Sequence, residues 1–298
     1  MQGWLIIDKP IGLGSTQIVS GVKRALNAGG YPKMKVGHGG TLDPLASGVL
    51  PVALGEATKL CGRMLDADKI YRFTVAFGKE TITLDAEGPV VATSSVRPTS
   101  AQVEAVLPHF TGPIEQVPPA YSALKVDGKR AYERARAGEP VEMKARAVTV
   151  HSLAVAAADL DEVTLSATVS KGTYIRSLAR DIARALGTVG HVTMLRRVKA
   201  GPFTIAQAIS LDKIQAVAKD RQLEQALLPL AAGLDDIPAL SVTPDQARLL
   251  RQGRKLAGIA AKPGLHLATD QSVPVALVEL SEGQLRVVRG FNLDQEGV

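Results

Sequence analysis

Between Gly37 and Pro51 the chain reads GHGGTLDPLASGVLP, with four glycines, two prolines, one histidine and one carboxylate. Glycine costs about 1 kcal/mol and proline about 3 kcal/mol against alanine inside a helix. The segment is therefore a shaped loop, and any fold for this chain has to accommodate it. Asp43 precedes Pro44, which biases it toward extended backbone. Two readings are open at this point. One is a tight turn with an Asx cap. The other is a carboxylate held rigidly for nucleophilic or acid–base work, among glycines that leave room for a ligand's backbone.

The 298 residues suffice for one large domain and a small one, with 46% hydrophobic and 21% charged residues as in a globular protein. Cys61 is the one cysteine, so neither an internal disulfide nor a cysteine-built zinc cluster can form. The five histidines are scattered, and no metal site is expected. Asp8 and Lys9 interrupt the first apolar run too early for a signal peptide. No apolar run approaches the ~18 residues of a membrane span. These features predict a cytoplasmic protein. The net charge of +6 permits an anionic partner.

Gly3–Asp8 reads as a strand, followed by a helix capped by Ser15 or Thr16. Val49–Leu54 is a buried strand and Glu56–Leu65 a helix. Lys69–Gly78 alternates, with Tyr71, Phe73, Val75 and Phe77 on one side, and predicts a half-buried strand. Thr99 and Gln102 form a capping box. A short basic helix is expected over Lys129–Ala137, strands over Val148–Ala156 and Glu162–Ser170, and a helix over Tyr174–Leu186 closed by Gly187. Gly190–Arg197 runs toward a basic end without a clear element. A helix follows Ser210. Composition shifts near Asp235–Ala239, and the remainder has its own capping box at Thr243 and Gln246 and two strands, Val273–Leu280 and Gln284–Arg289. Antiparallel strands with interleaved helices predict an α+β fold. The expected division is a body over 1–236 and a small module over 237–298.

No P-loop, dinucleotide fingerprint or nucleophile-elbow motif is present. Carboxylate chemistry with basic and aromatic groups remains. Five ordered segments carry a resemblance: LIIDKP at Leu5–Pro10, the loop at Gly37–Leu50, KIYRF at Lys69–Phe73, PPAYSALKVDGKRAY at Pro118–Tyr132 and SKGTYIR at Ser170–Arg176. Together they resemble the bacterial tRNA pseudouridine synthases of the TruB type, over roughly residues 3 to 210.

The resemblance implies a pseudouridine-synthase body with a PUA-like C-terminal module. It also implies a cofactor-free isomerase, an intramolecular transferase, acting by base flipping on the T-loop uridine of tRNA (position 55 in standard tRNA numbering). Asp43, Tyr71 and Arg176 match its catalytic residues. His38, Tyr174 and Leu195 match positions that hold the substrate. Asp43 could attack C1′, attack C6 or assist a glycal route. Lys9 and Pro10 are expected to support the loop. Lys125, Lys129, Arg130, Arg134, Arg136, Arg196, Arg197 and Lys199 are candidate phosphate contacts. Ile82 stands where the family usually carries aspartate. The expected partner is the T arm and T loop of tRNA, bound by a monomer with no obligatory protein partner and no membrane. Two rival readings are a related synthase acting on another RNA or guided by a partner, and a non-catalytic RNA-binding scaffold.

Overall fold

The computed structural model describes residues 1–293. Its centre is a large mixed sheet. From one edge the strands run Leu228–Pro229, Gly3–Lys9, Ala46–Leu54, Gly190–Ala200, Lys69–Phe77, Glu162–Val169, Arg146–Ala158 and Gly112–Gln116, with the short strands Val36–His38 and Phe203–Thr204 added at the side. Neighbours are antiparallel except Ala46–Leu54 and Gly190–Ala200, which run parallel. This gives the α+β class expected from the sequence.

The strands Gly3–Lys9 and Ala46–Leu54 are apolar at almost every position because both of their faces are covered. Leu5, Ile7, Leu50 and Val52 pack under the helices Ser15–Ala28 and Leu211–Lys219, through Ile18, Val22, Ile214 and Ala218. Trp4, Ile6, Val49 and Ala53 face the other way, against Leu60, Met64, Phe203 and Leu234. The helix Ile175–Ala185 covers Phe73, Val75, Leu165 and Val192 with Leu178, Ala179 and Ile182. Tyr71 and Leu195 touch both helix-covered clusters and so mark the seam between them.

Five strands form the C-terminal β domain, in the order Ala239–Ser241, Gly264–Asp270, Val273–Ser281, Gln284–Gly290 and Leu256–Ala257. Three of these were not legible in the sequence, and two of the three are only two or three residues long. The domain shares its core with the body: Leu267, Leu277 and Phe291 pack in one cluster with Trp4 and Phe203. Lys59 Nζ donates to Gly290 O at 2.9 Å, and the Asn292 amide donates to Glu56 Oε2 at 2.7 Å.

Local departures have simple causes. Gly14, not Ser15 or Thr16, caps the first helix, and its amide donates to the Gln17 side chain at 2.7 Å. The basic helix begins only at Ala131, because Lys129–Arg130 pairs with Lys125–Val126 in a hairpin. Gly190–Ala200 is a central strand with several basic and polar residues, whose sequence hides the apolar alternation of a strand.

Candidate active site

The Gly37–Pro51 loop leaves the short strand Val36–His38 and returns as Ala46–Leu54. Ser15, in the first turn of its helix, fixes the middle of it: Ser15 Oγ donates to Leu42 O at 3.2 Å and accepts from the Leu42 amide at 2.8 Å. Lys9 is fully buried and donates to Pro10 O, Leu13 O and Pro44 O, the last at 3.3 Å. It therefore supports the loop, as expected. Burial pulls the Lys9 ammonium down to about 8; Asp43 opposes this shift and Arg197 adds to it.

Arg197 lies in the strand beside the loop, in register with Gly48 on one side and Tyr71 on the other. It is 1% exposed. Its Nε donates to Val49 O at 2.7 Å, and its terminal nitrogens donate to Gly40 O at 3.2 Å and Thr41 O at 3.4 Å. The phosphate contact suggested for Arg197 is thus corrected: the side chain is spent on holding the loop from behind. Arg196 is paired with Asp8 at 2.8 Å, and Arg134 with Asp127 and Glu139. Lys125, Lys129, Arg130 and Arg136 are exposed and Lys199 half-buried.

The loop glycines also differ from expectation. Gly48 has φ +102°, and a Cβ there would lie 2.1 Å from Arg197 O. A Cβ on Gly39 would lie 2.5 Å from Met64 Cβ. These glycines make room for the protein's own chain, not for a ligand's backbone.

Asp43 emerges from this braced loop with its side chain 38% exposed and meets Arg176 at 2.9 Å. Arg176 sits in the first turn of the helix Ile175–Ala185, where a cation opposes the helix dipole by about 0.3–1 kcal/mol. Its position is set by four partners. Besides Asp43 it meets Asp85 at 3.3 Å and donates to Thr83 O at 2.8 Å and Tyr121 O at 2.9 Å. Asp85 is itself buried, and its other oxygen accepts from Thr83 Oγ1 at 2.5 Å and from the Glu87 amide at 3.0 Å. Leu84, just before it, adopts φ +63°, a costly conformation for a leucine that turns the chain at Asp85. Sequence reasoning gave Asp85 no role. Its pairing with Arg176 exists only in three dimensions.

Asp43, Tyr71, Tyr174, Leu195 and Arg176 line one cavity of about 310 Å³, with Lys69, Arg146 and Arg197 in its walls. Arg146 stacks on the Tyr174 ring at 5.0 Å. A second cavity, about 540 Å³, reaches Asp43 and Arg176 from the side of Tyr121, Tyr132 and Arg136; Ile82 forms part of its wall. His38 does not line either. It is half-buried, and its Nδ1 accepts from the Gly40 amide at 3.3 Å. Burial, then Arg197, lowers the pKa of His38, which favours the neutral ring that this bond requires. Among the described residues no group of His, Cys, Asp and Glu side chains is arranged to hold a metal ion, and no helix is long and apolar enough to cross a membrane.

Residues 23–175 match the model of the TruB family pseudouridylate synthase N-terminal domain, and residues 176–235 that of the tRNA pseudouridylate synthase B C-terminal domain. Similar curated proteins include the tRNA pseudouridine synthase B of Novosphingobium aromaticivorans, 64% identical with 98% of each chain covered. The protein of that name from Zymomonas mobilis is 61% identical, with 98% of this chain and 96% of the other covered. Among solved structures, a Cbf5-Nop10-Gar1 complex aligns over 99% of this chain and 86% of the other, with 26% identity and TM-score 0.74. An H/ACA RNP bound to a substrate RNA containing 2'-deoxyuridine aligns over 98% and 86%, with 25% identity and TM-score 0.73. With family models matching residues 23–235 and relatives covering 98% of its length, the chain belongs to the TruB family of pseudouridylate synthases.

Proposed function

We propose that this protein isomerises uridine to pseudouridine in tRNA, at the T-loop uridine (position 55), with Asp43, Tyr71 and Arg176 as catalytic residues. The observation that carries the reading is a half-exposed carboxylate, Asp43, held at 2.9 Å by a buried arginine in a cavity that also presents Tyr71. The reaction breaks N1–C1′, turns the base and joins C5 to C1′. Only protons exchange with solvent, so a fixed carboxylate is the group it needs, as nucleophile or as base. Arg176 orients Asp43 and offsets its charge, and Asp85 fixes Arg176 from behind.

Tyr71 offers its ring to the extruded uracil, where base–aromatic stacking is worth about 1–3 kcal/mol. That is comparable to the few kcal/mol lost on unstacking the base. Tyr174 and Leu195 close the cavity around it. His38, on the loop but outside the cavity wall, positions the RNA region left by the flipped nucleotide. The exposed bases Lys125, Lys129, Arg130 and Arg136 are suited to phosphates, and the second cavity gives room beside the target. We assign catalysis to residues 1–236 and auxiliary RNA binding to a PUA-like module over 237–298. That module is nearly neutral, with seven basic and six acidic residues, so it adds little to the electrostatic attraction. The protein works in the cytoplasm as a monomer, without a cofactor or protein partner.

Full-length relatives at 61–64% identity named tRNA pseudouridine synthase B support free tRNA as the substrate over an RNA held in a ribonucleoprotein. The test is chemical mapping of pseudouridine in an unmodified tRNA transcript incubated with the protein alone. A new pseudouridine in the T loop is expected. An unmodified T loop, or modification only with added proteins, would overturn the reading.

A further inference from the structure

Lys69 is a basic group in the wall of the 310 Å³ cavity for which the reaction as described has no use. It is 7% exposed and lies two residues before Tyr71 on the same strand, so both side chains leave the same face. Both line the cavity with Asp43. Its Nζ donates to Leu65 O at 2.6 Å and to Ala67 O. An ammonium has three N–H groups, and the third takes no acceptor among the described residues. The two carboxylates that act on it are engaged elsewhere: Asp66 with Lys171 at 3.0 Å, and Asp68 with His151 at 3.2 Å. Burial, then Arg197 and, least, Lys171 oppose its charge and bring it down to about 8 against the pull of Asp66 and Asp68. A buried cation with a spare donor and, among the described residues, no carboxylate within salt-bridge distance is unfavourable until an anion reaches it.

Which anion is set by the chemistry of the cavity. Phosphates are served at the exterior by exposed basic residues. Inside, heterolysis of N1–C1′ leaves the electron pair on the base, with the charge spread over N1, O2 and O4. The sugar carbon meanwhile is taken up by Asp43 or sheds a neighbouring proton to it. The turned base then bonds C1′ through C5 as the Asp43 ester breaks or, on the other route, as Asp43 returns its proton to C2′; the C5 proton passes to solvent, and N1 takes a proton. We propose, on the reading that this cavity isomerises uridine, that Lys69 is a catalytic residue whose ammonium stabilises the uracil anion formed when N1–C1′ breaks. Lys69 belongs with Tyr71 on the base side of the cavity, and Asp43 and Arg176 belong on the sugar side.

The experiment compares wild type with Lys69→Met and Lys69→Arg under single-turnover conditions, on T-arm RNA carrying uridine or 5-fluorouridine at the target. Loss of the parent nucleoside is followed after nuclease digestion, and RNA affinity is measured separately by filter binding. Fluorine makes the base a better leaving anion, so its departure depends less on a cation. Lys69→Met is expected to slow conversion of uridine roughly 100-fold with RNA affinity within about twofold, and the defect should shrink severalfold on 5-fluorouridine. Lys69→Arg should recover most of the rate.

An equal defect on both bases overturns the proposal and leaves Lys69 as a cap on the Leu65 and Ala67 carbonyls. A defect confined to RNA affinity also overturns it and makes Lys69 a phosphate contact. If Lys69→Met fails to fold by thermal melting, Lys69→Gln takes its place: a defect smaller on 5-fluorouridine than on uridine supports the proposal and an equal one sinks it. Wild type that converts neither RNA would instead refute the proposed function itself, which keeps the two failures apart.

Discussion

Two arginines on neighbouring parts of the fold are used in opposite ways. Arg176 faces the cavity between two carboxylates, Asp43 and Asp85. Arg197 lies behind the loop and meets three backbone carbonyls, with no carboxylate within salt-bridge distance among the described residues. Both are buried. The first sets the direction and charge of a single side chain. The second sets the path of the chain that carries that side chain. The difference teaches that the Asp43 carboxylate is held from two sides. Ion pairing aims Asp43 from the front, while Arg197, Lys9 and Ser15 fix its backbone from the rear.

This contrast can be broken in graded steps. Asp43→Asn keeps the loop and its braces and removes the carboxylate to which the reaction is assigned. Its rate of pseudouridine formation should fall by more than about 10³-fold, with tRNA affinity by filter binding nearly unchanged. Arg176→Ala should lower the rate roughly 10²-fold. It should also lower stability by about 3 kcal/mol in urea unfolding, because Asp85 is left buried without its partner. Arg197→Met should show the reverse emphasis. Each stranded buried carbonyl costs about 1–3 kcal/mol, so unfolding should report the larger loss. The rate should fall only about tenfold, through a looser loop. An Arg197 variant that is stable but inactive would erase the distinction between the two arginines.

The smallest effect concerns Lys9. Its proton is held at about 8, against an ordinary 10.5. Between those values the unfolded chain binds more protons than the folded one, so this group adds stability as pH rises through that window. Wild type should therefore gain on Lys9→Met by about 1 kcal/mol per pH unit between pH 8 and 10.5. Parallel stability curves would show that the ammonium is not buried as described.

Asp43, Tyr71 and Arg176 stand out through the family resemblance of five ordered segments, since composition alone left Asp43 open to a tight turn. The residues that support them do not. Asp85 looks like any loop aspartate until Arg176, far along the chain, arrives beside it. Arg197 follows Arg196 in a basic run, and a linear reading assigns such charges to solvent. Burial came from the strand's central place in the sheet, and that strand was itself concealed by its basic and polar residues. Gly39 and Gly48 were misassigned for a related reason: a need for space is visible in sequence, but what fills the space is not. Here it is Met64 and the Arg197 backbone.

The central claim is that Asp43, aimed by Arg176, carries out the isomerisation. Forming C5–C1′ expels the hydrogen at C5, so tritium release from tRNA labelled at C5 of uridine reports the reaction directly. Wild type should release one tritium per tRNA from the T-loop position, and Asp43→Asn should release none above background while still binding the tRNA. Release by Asp43→Asn at the wild-type rate would contradict the account.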